Sequence, residues 1–523
     1  MNTNILRQTV LLCLLVVIAS FFATYATAQS KAYNITKYGA KSGTESLQTE
    51  KIQAAIDAAA QNGGGKVIIP KGSFTSGSII LKSNINLHLE EGAVLLGSID
   101  PRDYTKLNHS MAFILADNQQ DIAITGPGEV NGRGRRVALN ADSLHHSGID
   151  VDKSYNYRRM RPNKRPKLMQ LAHCKDVKIE GVTFRNGANW VLSFERCEDL
   201  TIDKVTIDSD AYWNNDGFDV SDSKNVRITN CDVNAADDGI CLKSHAAGFM
   251  NENIYIGNCR VRSSASAIKF GTASLGGFKN VTVENIKVYD TFRSAIALES
   301  VDGGILEDIT VENIEAVNTG NAIFIRLGHR NSDGEVGTLK NISIKNVKVQ
   351  IPFDRPDAAY DLRGPELPFF HNPFPASIAG LPGHNVENVS LENIQVSYPG
   401  RSNNGLAYKS VYFLDNIPEN ESGYPEFHMF GELPAWGMFV RHVDGLKMKN
   451  ISFALEDQDF RSAFVFDDVK NLKVEGMELD AKGGDKALVL RNVEKASFRS
   501  IKTGKGPINK LTCIEGCTGV TIE

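Results

Sequence analysis

The chain has 523 residues, 42% of them hydrophobic and 23% charged, with 57 Lys+Arg against 62 Asp+Glu. That composition suits a globular chain with ample core material and excludes disorder, collagen and coiled coil. A formal charge of −5 argues against a broad basic face for nucleic acid.

Residues 1–28 read as an export signal. Arg7 precedes an apolar run from Val10 to Phe22, and Ala26-Thr27-Ala28 supplies the small-x-small cleavage pattern. The remaining 29–523 is expected to be one exported domain, periplasmic or extracellular, with no membrane span after cleavage. No later stretch approaches the 18 or more apolar residues of a span. Cleavage removes Cys13. Of the seven cysteines left, Cys513 and Cys517 could close a small C-terminal loop, and the other five fall in apolar segments as small buried hydrophobes. No pair has metal-site spacing. Leu47 to Gln61 carries Ile52, Ala55, Ile56 and Ala59 at helical spacing before Gly63-Gly64-Gly65. A helix there would cap an open end of sheet.

From about residue 170 the chain repeats one phrase, an Asp or Asn followed by alternating apolar and polar residues. The copies begin at Asp176, Asp199, Asn225, Asn253, Asn280, Asp308 and Asn341, at steps of 23, 26, 28, 27, 28 and 33 residues. Weaker copies follow at Asn388, Asn450 and Asn471. Alternation over four or five residues means strands, and a period of this length means stacked coils. The expected fold is all-β, a right-handed parallel β-helix with an N-terminal capping helix. The recurring Asn is a corner residue in the left-handed conformation, so the sequons at Asn280, Asn341, Asn388 and Asn450 are read as structural. Departures near 352–395 and 398–438 are expected to be loop insertions on one face, shaping a groove. Beyond Asp480 the Asn corner is lost, leaving further rungs or a cap.

A third strand aligns on its own pattern: Gly217-Phe-Asp-Val-Ser, Gly239-Ile-Cys-Leu-Lys, Ala267-Ile-Lys-Phe-Gly, Ala295-Ile-Ala-Leu-Glu and Ala322-Ile-Phe-Ile-Arg. Its second and fourth positions should face the core, and its third and fifth should face solvent. One step before each strand stand Asp216, Asp238, Ser266, Ser294 and Asn321. Rungs are about 4.8 Å apart, so Asp216 and Asp238 should be neighbours, with Asp237 beside them. Repulsion among three carboxylates raises at least one pKa. A pair with split values serves glycoside hydrolysis, where one group protonates the leaving oxygen and another activates water. Calcium binding by the same acids is the competing function.

Asn214-Asn215-Asp216-Gly217-Phe218-Asp219 resembles the Asn-Thr-Asp-Gly-x-Asp motif of family 28 glycoside hydrolases, the polygalacturonase family. Asp237-Asp238 looks like its Asp-Asp pair, and Lys243-Ser244 resembles the Lys-Ser of many exo-acting bacterial members. The opening Tyr33 to Gly97 and Gly126 to Gly132 are similar as well. The resemblance implies an inverting hydrolase with Asp237 as general acid and Asp216 and Asp238 activating water. It implies no metal or cofactor and a pectic polysaccharide or oligosaccharide as partner, bound by a monomer. Two departures mark a divergent member. Ser266 stands where the family has the His of Gly-His-Gly, and Ala295-Ile296-Ala297 replaces its Arg-Ile-Lys.

The expected substrate-binding set is Asn214, Asp219, Lys243, Lys269, Ser266 and Arg326, with Arg293 a further source of positive charge. Trp190 and Trp213 flank the acids and could stack on sugar, while His245 and His329 are weaker candidates. The first reading is a hydrolase of galacturonate-containing pectin. The alternatives are a rhamnogalacturonan-directed hydrolase (the family branch that also departs at those basic motifs), a calcium-dependent lyase and a non-catalytic polysaccharide-binding β-helix.

Overall fold

A computed structural model describes residues 31–156, 164–331, 334–357, 370–504, 506–507 and 511–523. The expected export signal, residues 1–28, lies outside them. The chain winds into a right-handed parallel β-helix whose strands pair with their counterparts one coil on. One column of strands runs through Gln120–Thr125, Lys175–Glu180, Glu198–Asp203 and Lys224–Thr229, paired in parallel throughout. A second runs through Glu129–Asn131, Thr183–Arg185, Thr206–Ser209 and Asp232–Ala235. A third runs through Ser110–Asp117, Lys167–Ala172, Leu192–Glu195, Phe218–Ser221, Ile240–Ser244 and Ile268–Ser274. The alternation of each strand buries one side in a lumen filled along its length by Ile, Val, Leu and Phe.

Helix α1, Thr49–Gln61, buries Ile52, Ala55, Ile56 and Ala59 against the first coil, as the spacing predicts. A second helix, α2, Gly134–His146, was not expected and turns Val137, Ala138, Ala141 and Leu144 inward. The sequence beyond Asp480 forms further rungs, with Leu488–Thr503 parallel to Ser462–Leu479. Cys513 and Cys517 are disulfide-bonded, and the other five described cysteines are free and buried. Among the described residues no helix is long and apolar enough to cross a membrane.

The Asn corners form two ladders rather than one. Asn225 bonds to Asp199, Asn253 to Asn225 and Asn280 to Asn253, while Asn285, Asn313, Asn346, Asn393 and Asn450 climb a second corner from Asn258. Asn450 therefore belongs to the second corner, and the rung above Asn388 carries Gly445 at φ 84. All these Asn residues have positive φ, which an amide side chain tolerates and glycine tolerates freely.

The expected solvent exposure of the third strand's outer positions is corrected. Asp219, Cys241, Lys269, Ala297, Phe324, Glu299 and Arg326 point away from the lumen, yet all are buried. The insertion after Tyr398 folds back over the later rungs of this set, from Lys269 onward. Its Leu414, Ile417, Phe427, Phe430 and Leu433 build a second apolar cluster on Ala297, Phe324, Ala379, Phe439, Val465 and Val489. Each such side chain contributes about 1.5–3 kcal/mol on burial, which offsets about 1–2 kcal/mol per residue for ordering the loop backbone. The departure at 352–395 is shorter than its boundaries suggest, because Ala376–Ala379 and Val386–Tyr398 are ordinary rungs.

Candidate active site

The register of the third column places Lys167, Trp190, Asp216, Asp238, Ser266 and Ser294 one above another, two residues before Met169, Leu192, Phe218, Ile240, Ile268 and Ile296. Asp216 and Asp238 are thus rung neighbours, joined by the Gly217 N–H donating to the Asp238 carbonyl at 2.9 Å. Asp216 and Asp238 are buried and Asp237 is half-buried. One carboxylate oxygen from each of the three lies within 4.8 Å of the others. Plane geometry then puts a point no more than about 2.8 Å from all three, the length of one hydrogen bond.

Lys243 stands beneath this cluster. Its ammonium donates to Asp216 Oδ2 at 2.7 Å and also to Asp219 Oδ1. Burial, reinforced by the Asp219 charge, lifts the Asp216 carboxyl to about 7 against the pull of Lys243. Burial also raises Asp219. Asp238 goes the other way: burial would raise it, but Lys269, Lys243, Arg293 and the Ser266 N–H hold it below the ordinary range. The split expected among the acids therefore falls between Asp216 and Asp238.

On one flank of the acids lies a cavity of about 520 Å³, lined by residues that include Lys106, His109, Lys167, Trp190, Glu195, Asn214 and His245. Lys243 joins it to the acids, because its ammonium lies 4.1 Å from the Trp190 ring centroid. Lys167 lies 4.3 Å from the same centroid and donates to the neutral Gln170 at 2.6 Å and Ser193 at 3.1 Å. Burial pulls the Lys167 ammonium down to about 8. Asn214 lines the cavity while accepting from Arg165 at 2.9 Å, and Arg165 also donates to the Trp213 carbonyl at 2.6 Å.

The opposite flank is sealed. Lys269, 1% exposed, lies 3.6 Å from Asp238, 3.9 Å from Glu299 and 3.4 Å from Glu426. Arg293 pairs with the same Glu426. Ser266 is buried and donates its backbone N–H to Asp238 Oδ1 at 3.3 Å. Tyr424, 57% exposed, brings its ring centroid 5.5 Å from the Lys269 ammonium.

Of the expected substrate-binding residues, Asp219, Lys243, Lys269 and Ser266 gather around the acids. Arg326 does something else. Fully buried, it donates to the carbonyls of Gly380 at 2.9 Å and Glu419 at 2.7 Å, fastening the insertion to the coil. His329 likewise meets Glu421 of the insertion at 3.2 Å. Glu426, Tyr424 and Lys167 were missed. Extending the acid column two rungs backward finds Lys167, but no periodicity points to Glu426, which arrives from an insertion.

A β-helix that gathers three carboxylates next to an open pocket suits glycoside hydrolysis. The model of glycosyl hydrolases family 28 matches residues 60–351, and the chain belongs to that family. An exo-poly-alpha-D-galacturonosidase of Dickeya chrysanthemi is 24% identical over 448 residues, covering 71% of this chain and 73% of its own. An endo-polygalacturonase of Pectobacterium carotovorum subsp. carotovorum is 24% identical over 281 residues, covering 51% and 68%. Among solved structures, the family 28 exopolygalacturonase of Yersinia enterocolitica superposes with a TM-score of 0.61 at 20% identity, over 84% of this chain and 78% of its own.

Proposed function

We propose that this glycosidase hydrolyses a galacturonate-containing pectic polysaccharide with inversion. The observation that carries the reading is the convergence of three carboxylate oxygens within 4.8 Å beside a sugar-sized pocket. Asp237, the most accessible of the three, protonates the leaving oxygen. Asp238, held ionised by its cationic neighbours, takes a proton from the attacking water, and Asp216 orients that water through its second hydrogen bond. Carboxyl groups of inverting enzymes are commonly about 6.5–9.5 Å apart. The 4.8 Å limit here is between single oxygens, a different measure from the separation of the carboxyl groups. Lys167, which lines the pocket over Trp190 and bonds the neutral Gln170 and Ser193, is the cation we assign to a uronate carboxylate there. The names of the relatives, galacturonosidase and polygalacturonase, support the substrate class.

A rhamnogalacturonan substrate is the second reading, favoured by one observation. The cations on the sealed flank, Lys269 and Arg293, are already paired with Glu299 and Glu426. Export completes the proposal and is supported by the disulfide between Cys513 and Cys517, a bond that persists in oxidising compartments. The test is reducing-end release from polygalacturonate and rhamnogalacturonan with and without EDTA, followed by NMR of the newly released anomer. Release with an inverted anomer is expected. Release abolished by EDTA would point to the calcium-dependent lyase, and none from either polymer would overturn the hydrolase reading.

A further inference from the structure

Glu426 sits where no repeat of this fold would place an acid. It comes from the insertion, yet it is 5% exposed and meets both cations of the sealed flank, Arg293 and Lys269. Those two cations face the acids directly. Lys269 is 3.6 Å from Asp238, and Arg293 feels the charges of Asp237 and Asp238. A uronate carboxylate entering this flank would seek the same two head groups. Glu426 already occupies them, and Glu299 stands on Lys269 from the other side.

The placement is rigid. Phe427, the next residue, is buried in the second apolar cluster. Upstream, Arg326 holds the Glu419 carbonyl and Arg441 holds the Ile417 carbonyl at 2.9 Å. The insertion thus presents a carboxylate already seated where a substrate carboxylate would bind, at no ordering cost when sugar arrives.

We infer that Glu426 is the specificity-determining residue of this flank: by holding Arg293 and Lys269 under the insertion it keeps both cations from a uronate carboxylate. The inference rests on the reading of the chain as a pectic hydrolase and sharpens it, assigning the uronate to the Lys167 pocket alone. Glu426 acts through the two cations, so it is a positioning residue rather than a catalytic one.

The test measures binding by calorimetry in the Asp237→Asn background, so that ligand is not consumed. An oligogalacturonide and a rhamnogalacturonan oligosaccharide are compared before and after Glu426→Gln. Glutamine keeps the shape and an acceptor oxygen but frees one positive charge. The oligogalacturonide is expected to bind about tenfold tighter, while affinity for the rhamnogalacturonan fragment stays within about twofold. Glu426→Asp, which keeps the charge, should keep the native ratio. If Glu426→Gln fails to fold, Glu426→Met, which also removes the charge, should move the ratio in the same direction. A ratio that does not move, or both affinities falling together, overturns the inference. Turnover of both polymers by the native chain is measured in parallel. If neither is cleaved while the binding ratio shifts, the hydrolase reading fails and the role of Glu426 stands.

Discussion

The two flanks of the acid cluster are built from the same column of rungs and do opposite things with positive charge. On the pocket flank, Lys167 bonds the neutral Gln170 and Ser193 and lines the cavity beside Trp190. On the other, Lys269 and Arg293 are sealed under the insertion and matched with carboxylates. Buried ion pairs gain little over apolar packing, since desolvation cancels much of the attraction, so the sealed flank is poorly explained as a stabilising device. The contrast teaches that a cation in a binding groove says little about ligand charge until its partners are counted. Lys167 is available to an anion. Lys269 is not.

The largest effect should come from the point both flanks share. Asp237→Asn is expected to lower kcat for reducing-end release by roughly 10³-fold or more, the scale of a lost general acid, with substrate affinity nearly unchanged. A modest loss would mean that the acids are not the reacting centre and that the two flanks do not serve one bond. Lys243→Met comes next. It leaves Asp216 and Asp219 buried together without their shared cation, a change costing about 3–5 kcal/mol in comparable buried pairs. Lys243 holds the Asp216 carboxyl down against burial, so its removal should push that carboxyl upward from about 7 and move the matching limb of the kcat/KM profile to higher pH. Thermal unfolding and the pH profile check the two halves of this prediction.

Lys167→Met tests the open flank alone. KM for a uronate substrate should rise about tenfold or more, the value of a hydrogen bond to a charged group, while kcat holds. The ammonium is pulled down to about 8 by burial, so it is charged below that pH and neutral above it. Affinity in the native chain should therefore weaken as pH rises through about 8, and the Lys167→Met profile should be flat there. An unchanged KM would return the uronate to the sealed flank and undo the contrast.

How much of this could be read beforehand depends on which residues obey the repeat. Asp216, Asp238 and Ser266 were aligned correctly because each precedes a strand with strict two-residue alternation, and the backbone register follows that alternation. Glu426 obeys no period, so nothing local ties it to Asp238. The exposure of Ala297 and Phe324 was misjudged for the same reason: alternation says which side of the sheet a residue faces, and only the insertion decides whether that side is wet. Helix α2 was legible in principle, since Val137, Ala138, Ala141 and Leu144 hold one helical face. The corners misled in a subtler way, because Asn at two different corners looks identical in sequence, and Asn450 was set on the wrong one.

The smallest prediction separates scaffold from site. Asn313 stands at φ 57 in the second ladder, donating to Asn285 at 3.0 Å and accepting from Asn346 at 3.0 Å. Asn313→Ala removes both exposed bonds and forces a side chain with no compensating amide into the left-handed region, at a cost of about 1–2 kcal/mol. Asn313→Gly loses the same bonds but relieves the backbone, so it should recover part of the loss. The ladders already use this substitution: Gly445 stands at φ 84 above Asn388, and Gly476 stands at φ 69 above Asn450. Both variants should leave KM and kcat unchanged on either polymer, because the corner lies between the first and second columns of strands, whereas the acids precede the third. If Asn313→Ala altered the ratio between the two polymers, the flanks would be responding to coil stacking rather than to their own charges, and the contrast between Lys167 and Lys269 would need to be rebuilt from the scaffold outward.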